Sequence, residues 1–264
     1  MGEIVKKSNA LARTCWSAES ILEPRLIALL ASKINVSDID FKIYHIHISE
    51  LIGNAHSGQD YLDVARAVEN VMSRVITISD PDSGDWTKYN VFSRCRFRKK
   101  EGILELGFHP DLIPHYLQLK KNFVQYNLIE YLTLSSLYSQ KVFEILKSWA
   151  NRSEITILIP ELHVALSVPE SLRIDFAAFR RRALEKAYKD INEKTSLRYE
   201  WEAIKTKNKV TAIRFIFSQK DRMIVQKATI QKLTDKFIAE QARPGETWEE
   251  ARDRLSNRNR KLFE

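Results

Sequence analysis

Two cysteines, seven glycines and seven prolines in 264 residues leave little room for several protein classes. Cys15 and Cys95 form neither a paired framework nor a metal-ligand spacing, which excludes a disulfide scaffold and fits a reducing cytoplasm. So little Gly and Pro excludes a fibrous or low-complexity chain. No apolar run approaches the roughly 20 residues needed to span a bilayer. The start, MGEIVKKSNALARTCW, lacks the apolar core and small-residue cleavage site of a signal peptide. Gly-rich phosphate loops and nucleophile elbows are missing too, so neither a cofactor nor a metal is expected. What the chain does have is basic charge: 42 Lys and Arg against 34 Asp and Glu, a net +8. Such an excess points to a polyanion partner, with nucleic acid ahead of a membrane surface.

A chain of this length suits two domains of roughly 100–150 residues, and its hydrophobic periodicity gives one order of elements twice. In the first copy, residues 18–34 repeat apolar positions at helical spacing (Ile21, Leu22, Leu26, Leu29, Leu30, Ile34). FKIYHIHI (41–48) alternates as a strand. Ser49 is expected to cap a short helix, and Asp60 a long one over 60–75. VITIS and two further strands, KYNVFSRCRFR and ILELGFH, follow, the last two joined at KKEG. The second copy runs helix (134–150), strand (155–159), a short helix opened by Pro160, a helix over 175–194, and strands 197–204 and 210–217 around KTKNK. Helix, strand, helix, helix, hairpin is the winged-helix order. The fold class is therefore α+β: two tandem, duplicated winged-helix domains, residues 1–121 and 122–218, and a helical tail over 219–264. The join near 117–131 is not rich in Gly or Ser, which predicts packed domains rather than beads on a string.

The helix over 175–194 carries FRRRALEKAYKDIN. Wound at 100° per residue, Phe176, Phe179, Ala183, Leu184, Ala187 and Ile191 form a core stripe. Arg181, Arg182, Lys186 and Lys189 fan over the opposite side. Arg180 falls beside the stripe and is expected to snorkel or to pair within the protein. Arginines in the first turns of the second helix of a helix-turn-helix reach base edges, where the guanidinium fork matches guanine O6 and N7. Lys186 and Lys189 suit phosphates, as do Lys205, Lys207 and Lys209 at the wing tip. The first copy's equivalent helix is nearly neutral. Its basic side lies on the hairpin, where alternation puts Arg94, Arg96 and Arg98 on one sheet face.

VKKSNAL, GILELGFHPDLIPHYLQLKKNFVQYNL, LYSQKVFEILKSW and FRRRALEKAYKDINEKTSLRYEW, in that order, resemble the iteron-binding plasmid replication initiators of the RepE, π and RepA type, over the chain up to about Phe217. The resemblance implies that the second domain binds directly repeated double-stranded DNA (iterons) in the major groove. The first would add weaker DNA contacts and a dimer interface. Monomers would open the origin with the host initiator DnaA and recruit the replicative helicase. Homodimers would repress the protein's own gene at an inverted repeat, with chaperones as a possible source of active monomer. Base readout falls by the same resemblance on Arg181 and Arg182, with Arg173 matching a basic residue before the helix. Family members often place Asp directly before the Phe of Phe-Arg-Arg-Arg. Here the order is Asp175-Phe176-Ala177-Ala178-Phe179, which makes Asp175 a helix cap rather than a base contact. The implied protein is a cytoplasmic, nucleoid- or plasmid-associated bacterial one with no catalytic residue.

Two alternatives remain at this level. A winged-helix transcription regulator would use the same contacts. A nicking initiator would use His45-Ile46-His47, whose imidazoles share a strand face about 7 Å apart, and Tyr138 with Lys141 one helical turn on.

Overall fold

The computed structural model describes residues 3–35, 37–53, 57–79, 83–119 and 122–218, with 247, 249 and 250. It opens on β1 (Ile4–Ser8), whose last residue caps α1 (Asn9–Arg13), Ser8 Oγ accepting from Leu11 N at 3.1 Å. Next come α2 (Leu22–Ser32), β2 (Tyr44–His47), α3 (Ile48–Ile52) and α4 (Gly58–Ser73). Four strands follow: β3 (Val75–Ser79), β4 (Trp86–Asn90), β5 (Phe92–Arg98) and β6 (Ile103–Phe108). After α5 (Ile113–Tyr116) the opening motif recurs. Strand β7 (Phe123–Asn127) leads into α6 (Leu128–Thr133), and Asn127 Oδ1 accepts from Ile129 N at 2.8 Å. The second copy then runs α7 (Leu137–Lys147), β8 (Glu154–Leu158), α8 (Ile159–Ala165) and α9 (Glu170–Arg173). It continues through α10 (Phe176–Phe179), a π segment (Arg180–Glu185), α11 (Lys186–Lys194), β9 (Tyr199–Thr206) and β10 (Lys209–Phe217).

The duplication is explicit in the sheets. Both wings are three-stranded and antiparallel with the same order, β2-β6-β5 and β8-β10-β9, so each hairpin is extended by the strand that precedes its two helices. β3 and β4 form a separate two-stranded insert in the first copy. The expected single strand KYNVFSRCRFR is therefore two strands. Val91 is 3% exposed and breaks the alternation, and its carbonyl is taken by His109 N at 3.0 Å. Two caps also move. Ser57 caps α4, and Asp60, three residues on, returns its carboxylate to Ser57 N at 2.6 Å, which is the reciprocal pairing of a capping box. His47 rather than Ser49 precedes α3, and Glu50 reaches back to His47 N at 2.9 Å.

The two copies are packed. β1 and β7 pair antiparallel from Ile4↔Asn127 to Ser8↔Phe123. Behind that ladder Lys7 Nζ meets Glu144 Oε1 at 2.5 Å, and Tyr126 donates to the same carboxylate at 2.6 Å. Arg25 donates to the Leu132 and Leu134 carbonyls at 2.8 and 3.0 Å, and Arg13 Nε to Ser148 Oγ at 2.8 Å. A single apolar core runs through both copies, from Phe92, Phe108 and Tyr116 through Tyr131 and Phe143 at the seam to Phe179 and Phe215. Each such side chain contributes roughly 1.5–3 kcal/mol by leaving water. Residues 1–217 accordingly make one compact unit. Most of the helical tail expected over 219–264 lies outside the described residues. Of the rest of the tail, Thr247, which accepts from Glu250 N at 3.4 Å, opens a helical turn.

Candidate nucleic-acid interface

In the second copy, α8 and the run 176–194 are joined by a turn held from several sides. His163 of α8 meets the Phe179 ring edge-on, centroids 4.7 Å apart. Burial, and then the nearby Arg173 guanidinium, push the imidazole's pKa down, so it packs as a neutral ring. Arg173 Nε donates to the Val168 carbonyl at 2.8 Å, and its guanidinium lies 3.8 Å from Glu170, so part of its work is to shape this turn. Asp175 caps the helix as expected, accepting from Ala178 N at 3.0 Å.

Phe179, Ala183, Leu184, Ala187 and Ile191 are buried against α7 and the sheet, and Arg181, Arg182 and Lys189 are exposed. Among the described residues none of these three cations has an acidic partner. Arg180 departs from the wheel. It does pair within the protein, with Nε 3.1 Å from Glu185, but its side chain is half-exposed rather than turned to the core. The cause is the π segment over Arg180–Glu185, where backbone bonds run i→i+5 and each residue advances by less than 100°. Residues five apart then stack, which brings Glu185 over Arg180. All three arginines of the motif therefore face solvent.

One residue that the sequence reasoning passed over organises this helix. Asp190 is buried and accepts from Ser135 N (3.0 Å), Ser135 Oγ (2.7 Å) and Ser139 Oγ (2.8 Å), with Lys194 at 2.8 Å and Lys186 at 3.6 Å. Burial alone would raise its pKa, but the Lys194 ammonium and the serine donors overcome that and hold it well below the usual carboxylate range. Lys186 is thus partly neutralised. The available signal was Asp190 falling between Ala187 and Ile191 on the core side, facing the serines of LSSLYS.

At the wing tip, Thr206 pairs with Lys209 across a two-residue turn. Lys207 there has φ +56, a left-handed conformation. Lys205, Lys207 and Lys209 are all exposed, with no acidic partner among the described residues.

The first copy's wing is differently charged. Arg94, Arg96 and Arg98 are exposed on β5, but β6 sets Glu105 directly opposite Arg96, and Glu105 is buried. Arg98 Nε bonds it closely, Arg94 approaches to 3.6 Å and His45 to 4.0 Å. Arg96 alone of the three has no carboxylate partner among the described residues. On α4, Arg66 lies 3.5 Å from Asp63. Arg74 is tied to Glu19 at 2.9 Å and to the fully buried Glu23 at 3.4 Å.

The geometry also bears on the nicking alternative. Lys141 Nζ is turned to the Thr14 and Ala12 carbonyls, away from activating Tyr138. Burial raises the Tyr138 pKa, against a smaller opposing pull from Arg182, and a raised pKa disfavours the phenolate.

Residues 4–147 match the family described as Initiator Replication protein, WH1, and residues 158–217 match Initiator Rep protein, WH2. The chain belongs to the initiator Rep family. Among solved structures, this initiator is similar to the Pi initiator protein crystallised with iteron DNA: 17% identity, TM-score 0.64, covering 83% of this chain and 98% of that one. The likeness is one of fold. Weaker similarities link it to the WH1 domain of the replication protein MSBI1.176 (20% identity, TM-score 0.28, 36% of this chain and 76% of that one) and to RctB domains 2-3 (13%, 0.41, 76% and 83%). The initiator's WH1 match runs through α7, whose first turn carries Ser139, one of the two serines that hold Asp190. None of its described helices is long and apolar enough to cross a membrane.

Proposed function

We propose that this initiator binds directly repeated double-stranded DNA (iterons) as a monomer and acts by binding, without cutting the DNA. Residues 122–218 do the main reading, with the helix over 176–194 in the major groove. Residues 1–121 give auxiliary contacts and the dimer interface, and 219–264 keep no assigned role. The observation that carries this is the pair Arg181 and Arg182, exposed near the start of the second helix of a helix-turn-helix beside a wing tip of three lysines, all five without an acidic partner among the described residues. Fixed guanidinium forks there suit guanine edges, and the lysines suit phosphates. The fold shared with a protein crystallised on iteron DNA supports the same choice of ligand. In this reading monomers open the origin with DnaA and recruit the helicase, dimers repress the gene, and chaperones adjust the balance between the two. Mobility-shift titrations of the full chain against its flanking repeats and against scrambled DNA test the core of it. Preference for the repeats, lost in the Arg181→Ala, Arg182→Ala double variant, is the expected result. Equal affinity for both DNAs would refute it.

A further inference from the structure

At the head of the helix over 176–194 stands an apolar side chain with no cover. Ile174 is 84% exposed, and of the large apolar residues described only Ile39 is more so. Single exposed apolar residues are common, but the position of this one ordinarily has a partner. With Asp175 as N-cap, Ile174 precedes the cap, where an apolar residue packs against the fourth residue of the helix. That fourth residue is Phe179, which is fully buried. Its ring already has His163 edge-on at 4.7 Å and Phe176 at 6.3 Å. Other rings thus take the place at Phe179, and Ile174 is left to solvent.

The residues on either side of it are anchored. Arg173 Nε donates to the Val168 carbonyl at 2.8 Å, and Asp175 accepts from Ala178 N at 3.0 Å. Ala177, in the first turn of the helix, is exposed as well, and Arg181 follows it one turn later. The leading end of the helix therefore presents methyl groups ahead of its arginines. On the base edges of the major groove the apolar feature is the 5-methyl group of thymine. An isoleucine held against a phosphate would lose water and gain no partner, whereas against a methyl group both surfaces leave water. Arg173, with Nε spent on the turn and its guanidinium 3.8 Å from Glu170, leaves this flank to the isoleucine.

We propose, resting on the major-groove docking of this helix, that Ile174 is a specificity residue that reads the 5-methyl group of a thymine near the guanine met by Arg181. Fluorescence anisotropy of the full chain on a duplex carrying one flanking repeat tests this. Each thymine is replaced in turn by deoxyuridine, which removes the methyl group and keeps the base pair. At one position, or two neighbouring ones, the parent should lose about threefold or more in affinity, the worth of one buried methyl group. Ile174→Ala should lose a similar factor on the unmodified repeat and show no further loss at those positions. Its Tm should equal that of the parent, because the side chain packs against nothing. The proposal is overturned if no thymine is methyl-sensitive, or if the sensitive one stays so in Ile174→Ala. A lowered Tm in that variant overturns it too, since the side chain would then serve packing. So does a loss seen only on two adjacent repeats and not on one, because Ile174 would then meet a neighbouring copy. Each of these outcomes leaves the parent's preference for the repeat over scrambled DNA intact. Equal binding to both would instead refute the docking on which the proposal rests, and the proposal with it.

Discussion

Replacing Asp190 with Ala should unsettle the helix over 176–194 more than any change on its exposed face. The carboxylate is buried and takes three donors from Ser135 and Ser139, at 2.7–3.0 Å. Its lysine partners count for less. The Lys186 and Lys194 side chains are 44% and 35% exposed, so solvent screening limits each pair to about 0–1 kcal/mol. The loss comes mainly from the fully buried Ser139 hydroxyl, stranded where water cannot replace the acceptor, whereas Ser135 is exposed and can turn to water. Leaving a buried donor without its acceptor costs about 1–3 kcal/mol. For a unit of this size that is a fall in Tm of about 2–12 °C. Urea unfolding followed by tryptophan fluorescence would measure it. A double-mutant cycle with Ser139→Ala should return a coupling energy of about 1 kcal/mol or more. The pH dependence has a defined sign. Asp190 has a lowered folded-state pKa, so its contribution is complete above the unfolded value near about 4 and is lost as pH falls through the folded one. The Asp190→Ala variant should therefore lose less stability than the parent on acidification. A cost under about 1 kcal/mol, or an unchanged acid limb, would refute the role given to this residue.

Arg181→Ala and Arg182→Ala should each cost roughly 1–3 kcal/mol of specific binding and relax preference at particular base pairs, read against a library of single-base repeat variants. Arg180→Ala removes a half-exposed pair with Glu185 and should shift stability by no more than about 1 kcal/mol in urea unfolding. Lys189→Ala and Lys207→Ala should weaken specific and random DNA alike, and each should flatten the slope of log K against log salt by about 0.9. Supercoiled origin DNA incubated with the protein and Mg²⁺ or Mn²⁺ should stay intact on an agarose gel, and Tyr138→Phe should change nothing there. A covalent adduct lost in that variant would restore the nicking alternative.

Local chemistry was readable wherever a period could run undisturbed. The apolar repeat of α7, the alternation of β2, the hairpin turn at Lys207 and the Asp175 cap all follow from spacings within one element. Caps shifted by two or three residues because the first turns of α3 and α4 each hold two capping candidates, and the reciprocal bond shows only in three dimensions. The direction of Arg180 was lost to the π segment, which no fixed-angle wheel anticipates. Partnerships across the chain were out of reach: Glu105 against Arg94 and Arg98, and Asp190 against Ser135 and Ser139, depend on register and packing rather than on neighbours. The motif Val5-x-x-Ser8 does recur as Val124-x-x-Asn127, each a buried valine three residues before a cap, but two five-residue strands are too short to announce that they pair with one another.

That pairing has a bearing on how the chain is made. Lys6 meets Gln125 in the ladder, so roughly 120 residues separate the partners. At a synthesis rate of about 5–20 residues per second, β1 leaves the ribosome roughly 6–24 s before β7 exists. Through that interval the nascent protein carries an open strand edge and an unneutralised Lys7, whose partner Glu144 is later still. An unpaired edge is a template for the wrong strand, so the first half of this protein is most exposed to mispairing before its second half has been translated.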